Sequence, residues 1–128
     1  MSGDALDERE RAAYRFHAEL CKTLTDPKRL MIMQALRDGC ERSVGQLADM
    51  VGMTLPNASQ HLAVLRHAGL VSGRRQATTV YYSLTEPRIA EACDMVHQIA
   101  LDRMPGAGLA GALRNGAVAA SRGGEAVA

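Results

Sequence analysis

Large aromatic side chains are nearly absent from this chain of 128 residues, which has no tryptophan and a single phenylalanine, Phe16. Its core must therefore be built from leucine, valine, isoleucine, methionine and alanine, which suits small helices better than a large sheet sandwich. A hydrophobic fraction of 47% is enough for one modest core in a chain of this length. The composition predicts a single, mainly helical domain.

Long hydrophobic runs and a secretion signal are also missing from the sequence. The first residues, MSGDALDERERAAY, are charged and lack the apolar stretch of a signal peptide. Three cysteines, an odd number at wide spacing, do not form the disulfide framework of a small secreted protein. We therefore expect a cytoplasmic protein with no membrane partner.

Acidic residues are missing from one long window of the chain. No Asp or Glu occurs from Met50 to Thr85, although the whole sequence has 14 acidic residues against 15 Lys and Arg. The window contains Arg66, Arg74 and Arg75. A protein that approaches a duplex places positive groups near phosphates and keeps carboxylates away. The distribution of charge, rather than the net charge of +1, therefore indicates nucleic-acid binding.

Catalytic patterns are missing as well. The sequence shows no Ser-His-acid set, no phosphate-binding loop and no pair of carboxylates at a spacing typical of acid-base catalysis. So small a chain also encloses a deep pocket with difficulty. We therefore expect that the protein is not an enzyme.

Hydrophobic spacing and capping residues predict four helices in the first half of the chain. The first spans roughly residues 8–24, and the second follows Thr25-Asp26-Pro27 and runs to about residue 38. Ser43 and Gln46 form a capping-box pattern for the third helix, which Gly52 ends. Thr54 caps the fourth helix, which ends at Gly69. A tight turn between two such short helices is typical of a helix-turn-helix.

The hydrophobic period changes from helical to alternating after Gly69. Residues 78–84 predict a half-buried strand, with residues 70–75 as its partner and a tip near Gln76 and Ala77. A last helix follows Pro87 and carries an apolar stripe that needs a cover: Ile89, Ala92, Cys93, Val96, Ile99 and Ala100. We expect residues 1–7 to be disordered, residues 8–103 to form the domain, and residues 104–128, a Gly/Ala-rich tail, to be disordered.

Three segments of the sequence resemble the ArsR/SmtB family of bacterial winged-helix repressors across roughly residues 12–102. They read TDPKRLMIMQAL, SVGQLADMVGMTLPNASQHLAVLRHAGLVSGRR and TTVYYSLTEPRI. The resemblance implies a mainly α fold with a small β-hairpin, the winged helix-turn-helix. It also implies a homodimer formed through the first and last helices. Such a dimer binds double-stranded DNA at an imperfect palindrome and represses transcription until an effector arrives.

The resemblance also assigns candidate DNA-binding residues. Five match the start and outward face of the recognition helix: Thr54, Asn57, Ser59, Gln60 and His61. Asn and Gln side chains can read adenine edges, and Ser and Thr can bind phosphates or bases. Arg74, Arg75 and Gln76 match the wing, and Arg66 is added from the acid-free window.

The effector site is less defined, because the family's two metal motifs are not matched. Ser43, Val44 and Gly45 replace the ligands of the third-helix motif. The last-helix positions are occupied by other residues: Glu86, Arg88, Ile99 and Asp102. Some relatives use a pair of thiols at positions that align with Gln34 and Leu101. The remaining effector candidates are Cys21, Cys40 and Cys93.

Two kinds of thiol sensing fit these cysteines. Cys21 and Cys93 each lie four residues from a histidine on the same helix, and the resemblance makes the two helices neighbours. A thiol-bound metal or metalloid ion could then be held by His17, Cys21, Cys93 and His97. Alternatively, two thiols could form a disulfide or polysulfide link in response to an oxidant or sulfane sulfur.

Other interpretations stay open at this point. Cys21 and Cys93 could be buried packing residues on apolar helix faces, whereas Cys40, beside Arg42, is expected to be partly exposed. The chain could also be a winged-helix protein-interaction module, or a DNA-binding regulator that responds to no effector. The operator, the regulated genes and the inducer are not encoded in any pattern of the sequence.

Overall fold

Five helices and three strands lie within residues 5–106, the part of the chain that the computed structural model describes. Their order is α1 (Glu8–Thr23), α2 (Pro27–Ala35), β1 (Arg42–Ser43), α3 (Val44–Val51), α4 (Leu55–His67), β2 (Val71–Gln76), β3 (Thr79–Leu84) and α5 (Pro87–Arg103). This is the order of a winged helix-turn-helix, so the predicted fold class is confirmed. The predicted tail falls mostly on residues 107–128, and the predicted disordered start partly on residues 1–4, all outside the described residues.

Local hydrogen bonds begin and end the helix-turn-helix where the sequence predicted. The Ser43 hydroxyl accepts from the Gln46 N–H at 3.2 Å, and the Gln46 side chain accepts from the Ser43 N–H at 2.8 Å, which completes the capping box. Thr54 Oγ1 accepts from the Asn57 N–H at 3.3 Å and caps α4. Gly52 ends α3 in the left-handed region at φ 70°, where a side chain would be strained.

One apolar core joins α2, α3, α4 and the start of β2. Its members are buried to within a few per cent: Ile32, Met33, Leu36, Leu47, Ala48, Ala58, Leu62, Leu65, Leu70 and Val71. These residues recur at three- and four-residue spacing along α2 and α4, so each helix presents one side to the core. The opposite side of α4 is left exposed to solvent.

The strands form one antiparallel sheet in the order β1-β3-β2. The hairpin register runs from Val71 opposite Leu84 to Gln76 opposite Thr79. Its two-residue turn places Ala77 at φ 55°, so the tip lies where the sequence predicted. The two-residue strand β1 pairs with Tyr81 and Tyr82 of β3 and was not predicted.

The second helix is shorter than the sequence predicted. It ends at Ala35 and continues as a turn through Leu36 and Arg37, in which each N–H bonds to the carbonyl three residues earlier. The predicted end near residue 38 was therefore wrong by about one turn. Asp38 instead belongs to the loop that leads into β1.

Helices α1 and α5 contribute almost nothing to the core. No residue of α1 is buried, and Tyr14 and Phe16 are exposed by 56% and 69%. Residues up to Pro87 form one compact unit, and α5 belongs to a second unit. On α5, Ala90 is buried, while Met95, Val96 and Ile99 are exposed. The apolar stripe predicted on this helix is therefore only partly covered within a single chain.

A membrane-spanning segment was not expected from the sequence. Within residues 5–106, none of the helices combines the length and the apolar character that crossing a bilayer requires.

Candidate nucleic-acid interface

Helix α4 presents a polar surface on top of a firmly buried side. Ala58, Leu62 and Leu65 are fully buried, which fixes the helix on the core. Four of the predicted DNA-binding residues are exposed near its N-terminal end: Thr54, Asn57, Ser59 and Gln60. These side chains bring amide and hydroxyl groups but no negative charge to the surface, a combination that suits contact with base edges and phosphates.

His61, the fifth predicted residue on this helix, is half-buried and contacts a residue that the sequence did not single out. Arg29 of α2 places Nη1 3.4 Å from His61 Nδ1, and its Nε donates to the Thr23 carbonyl at 2.6 Å. A guanidinium group can only donate, so this contact is a hydrogen bond in the tautomer whose Nδ1 accepts and whose Nε2 carries the proton. Arg29 thereby orients His61 as a hydrogen-bond donor. No sequence pattern signals a contact over 32 positions.

A carboxylate lies close to this contact. The pKa of Asp26 is lowered from its ordinary value, chiefly because the carboxylate accepts the Lys28 backbone N–H. The same hydrogen bond, 2.7 Å long, caps α2. Asp26 therefore stays ionised at neutral pH.

Arg66 lies apart from the other candidates on α4. It is separated from Thr54 by twelve residues, or about 18 Å along a helix at 1.5 Å per residue. It lines an open groove of about 680 Å³ between α1 and α4, together with Phe16, Leu20 and Val64. The structure thus gathers Thr54 to His61 at one end of α4 and leaves Arg66 at the other.

The hairpin carries the other predicted DNA-binding residues, and its outer half is exposed from Gly73 to Gln76. Arg74 and Arg75 are successive residues of β2, so their side chains leave opposite faces of the hairpin. Arg75 stands opposite Val80 in the register, and Arg74 opposite Tyr81. The guanidinium of Arg74 lies over the Tyr81 ring, 5.4 Å from its centre.

Arg74 is also paired with a carboxylate from outside the hairpin. Its Nη2 and Nε donate to Glu41 at 2.8 Å and 3.0 Å, and its Nη1 donates to Gln76 Oε1 at 3.0 Å. These hydrogen bonds lower the pKa of Glu41 and raise that of Arg74. Glu41 precedes the acid-free window by nine residues in the sequence. The window is therefore not free of acid in space, which corrects the expectation drawn from the sequence.

A second ion pair holds the loop between α2 and β1. Arg42 donates to both carboxylate oxygens of Asp38 at 2.8 Å and to the Ala35 carbonyl at 2.9 Å. Asp38 also accepts the Cys40 N–H at 3.0 Å. The hydrogen bonds from Arg42, and secondarily from Cys40, hold the pKa of Asp38 well below its usual range. The loop that contains Cys40 is therefore ordered by charge rather than by apolar burial.

The predicted effector residues are distributed over three elements. Cys21 and Cys40 are exposed, and Cys93 is half-buried. The partial exposure predicted for Cys40 is confirmed, whereas the burial expected of a packing residue is absent at Cys21 in the single chain. His17 stacks on Tyr14 with ring centres 6.3 Å apart, and His97 is exposed on α5. Within residues 5–106 of one chain, no three metal-binding side chains lie together.

Comparison with known proteins agrees with this geometry. The family model described as "Bacterial regulatory protein, arsR family" matches residues 26–72, which include the helix-turn-helix. The "Biofilm growth-associated repressor" of Xylella fastidiosa is 42% identical over 82 residues, which are 64% of this chain and 71% of the relative. The chain belongs to the ArsR family.

Solved structures of ArsR-family and similar proteins share the fold. The transcriptional repressor BigR from Xylella fastidiosa superposes with a TM-score of 0.64 at 36% identity, covering 74% of this chain and 96% of that one. A homodimeric winged helix-turn-helix domain from Mycobacterium bovis, described as a possible ArsR-family regulator, gives a TM-score of 0.63 at 32% identity. That match covers 80% of this chain and 92% of the other. This ArsR-family chain is thus a transcriptional regulator, and the expectation that it is not an enzyme is confirmed.

Proposed function

We propose that the protein is a homodimeric repressor that binds an imperfect palindrome in double-stranded operator DNA and releases it when an effector is sensed. The observation that carries this proposal is the N-terminal half of α4. There, exposed amide and hydroxyl groups stand on a helix that three buried residues hold on the core. A helix that is fixed on one side and polar on the other can enter a major groove without rearrangement.

In this proposal, α4 recognises the base sequence of the operator, and the hairpin binds the phosphate backbone of the DNA. Asn57 and Gln60 supply amide groups for base edges, and Thr54 and Ser59 supply hydroxyls for phosphates or bases. His61, oriented by Arg29, donates through Nε2 to an acceptor on the DNA. Arg75 leaves the hairpin on the face opposite the Arg74–Glu41 pair and serves as a phosphate contact.

Dimer formation is supported by the apolar surface of the two outer helices. Tyr14 and Phe16 of α1 are more than half exposed, as are Met95 and Val96 of α5. Apolar groups at such density on one helix are covered in most soluble proteins. The Mycobacterium bovis relative is homodimeric by its own description. We propose that α1 and α5 meet their counterparts in a second copy, in the cytoplasm where the operator lies.

Sensing is proposed to use cysteine thiols. Cys40 is exposed within the ion-paired loop that leads into β1, where an adduct would disturb the hydrogen bond from its N–H to Asp38. Cys21 is exposed on α1, so that in a dimer it could join Cys93 in binding a metal or metalloid ion, with His17 and His97 as further ligands. The competing regulator without an effector is supported by the lack of a three-residue metal cluster within the described part of one chain.

The test is fluorescence anisotropy of the reduced protein on the DNA upstream of its own gene, with arsenite, zinc, an oxidant and polysulfide added in parallel. We expect salt-sensitive binding that one effector abolishes. The three single Cys→Ser variants identify the sensing cysteines. A protein that lacks a sensing cysteine stays bound to DNA when that effector is added. Binding that ignores every effector would favour the effector-independent regulator. No binding at any salt concentration would favour the protein-interaction module.

A further inference from the structure

We propose that Glu41 withholds Arg74 from DNA, so that each hairpin offers one arginine to the duplex rather than two and non-specific affinity is limited. The inference rests on the proposed DNA binding and adds a specificity-determining residue to it. Glu41 lies outside the hairpin and outside α4, at the residue before β1. Its role follows from where its carboxylate lies in the fold.

The hydrogen-bonding edge of the Arg74 guanidinium is already occupied by other side chains of the protein. A guanidinium binds a carboxylate or a phosphate through the same two-pronged edge, so one group excludes the other. Glu41 occupies that edge through Nε and Nη2, and Gln76 accepts from the remaining nitrogen, Nη1. The Tyr81 ring covers one face of the group. A phosphate that approached Arg74 would have to displace Glu41.

The charge of the pair leads to the same conclusion. Arg74 and Glu41 together contribute no net charge at the surface of the hairpin, because both stay ionised at neutral pH. Each phosphate that a protein neutralises steepens the dependence of log affinity on log salt by about 0.9. A neutral pair makes no such contribution. Arg75, on the other face of β2, forms no ion pair with a carboxylate within residues 5–106, and so remains available to a phosphate.

The Arg74–Glu41 ion pair is exposed enough for another ion to displace either partner. The Arg74 and Glu41 side chains are 52% and 39% exposed, so water and salt reach both groups. Exposed pairs of this kind have small net energies. The expected effect of removing Glu41 is therefore modest, about two- to fivefold in affinity for each protomer. A regulator that must find one operator among many sites gains from weaker binding to random DNA.

The experiment measures the affinity of the full chain for a random-sequence duplex of about 25 base pairs and for the DNA upstream of its gene, over a series of salt concentrations. Four proteins are compared first: wild type, E41Q, R74Q and the double variant. For each protomer, we expect E41Q to bind random DNA about two- to fivefold more tightly and to show a salt dependence steeper by about 0.9. R74Q should bind more weakly, and the double variant should return to the wild-type affinity.

The matched control is E8Q. Glu8 accepts a hydrogen bond from Arg15 on α1 at 2.8 Å, the same length as the shortest bond in the Glu41–Arg74 pair, and both side chains are exposed. E8Q changes net charge by the same amount on another element, so we expect wild-type DNA binding. An equal gain in E8Q and E41Q would overturn the inference, because net charge alone would then account for both.

A second readout separates this inference from the proposed function. In the DNA-free protein, the Arg74 Nε–H resonance, followed by NMR, should shift in E41Q, because Nε loses its hydrogen bond to a charged carboxylate. Salt-sensitive binding by wild type together with unchanged or weaker binding by E41Q would overturn the inference alone. Absence of binding in all variants, including wild type, would overturn both proposals, even if the Arg74 resonance shifted in E41Q.

Discussion

The two parts of the proposed DNA-binding surface, helix α4 and the β2–β3 hairpin, are attached to the protein by different forces. Helix α4 buries three residues completely in the core. The hairpin buries only Val71, at its base, and its outer half is held by strand pairing and by the hydrogen bonds of Arg74. Apolar burial responds little to salt, whereas exposed ion pairs are screened. The comparison shows that the position of α4 is set by the core, and that the position of Arg74 on the wing is set by charge.

The largest expected effect comes from removing the apolar attachment of α4. Leu62→Ala deletes a fully buried side chain and should lower the free energy of unfolding by about 2–5 kcal/mol. Val64→Ala, at a side chain that is 41% exposed on the same helix, is the matched control and should have a small effect. Urea unfolding followed by circular dichroism measures both. A similar decrease in the two variants would contradict the view that α4 is held on one side only.

The next effect concerns what α4 reads. Asn57→Ala removes an exposed amide near the start of the helix and should reduce discrimination between operator and altered operators by about 1–3 kcal/mol at one base pair. Anisotropy on a panel of single-base operator variants measures this change. The control is Ala63→Ser, which adds a hydroxyl to an exposed residue in the groove between α1 and α4. Equal weakening on every duplex would mean that Asn57 contacts only the backbone.

The wing should differ from α4 in its response to salt. Arg75→Gln is expected to weaken binding to all duplexes alike and to flatten the dependence of log affinity on log salt by about 0.9 for each phosphate that is no longer neutralised. Titration at several salt concentrations gives this slope. The control is Lys28→Gln on α2, which removes the same charge from another element. If Arg75→Gln altered sequence preference instead, the division of roles between helix and wing would be wrong.

The smallest effect is expected in the loop before β1. Asp38→Asn removes a carboxylate whose pKa lies below its usual range because Arg42 hydrogen-bonds to it. A lowered pKa means that the pair stabilises the protein above the unfolded pKa near 3.8, and that this stabilisation disappears as pH falls through the folded value. We therefore expect a small drop in melting temperature at pH 7 that persists to pH 4 and shrinks only in stronger acid. The matched control is Asp49→Asn, which removes an exposed carboxylate on α3.

Local features of this fold could be predicted from the sequence because their causes are local. Ser43 and Gln46 cap α3 from within four residues of each other, and Thr54 caps α4 in the same way. The apolar spacing that placed Ala58, Leu62 and Leu65 in the core depends only on helical geometry. The predicted position of the hairpin tip was also correct, because it too depends on a local pattern of residues.

Features that depend on distant partners could not be predicted. Strand β1 has two residues and exists only because Tyr81 and Tyr82 pair with it. Glu41 reaches Arg74 across 33 positions, so a scan for acidic residues along the chain gave the wrong picture of charge around the wing. Arg29 likewise reaches His61 across 32 positions. The DNA-binding roles of these residues, and the effector site, stay predictions.

Arg42 connects the hairpin with the C-terminal end of α2, two parts of the protein whose movements a regulator of this fold needs to coordinate. Its backbone pairs with Tyr82 in the sheet, while its side chain binds Asp38 and the last carbonyl of α2, that of Ala35. The hairpin and the C-terminal end of α2 are therefore mechanically coupled through one residue. A tilt of the hairpin would drag the end of α2 with it, or would first have to break this attachment. A conformational change that moves the wing must therefore either move the end of α2 as well or break the hydrogen bonds of Arg42.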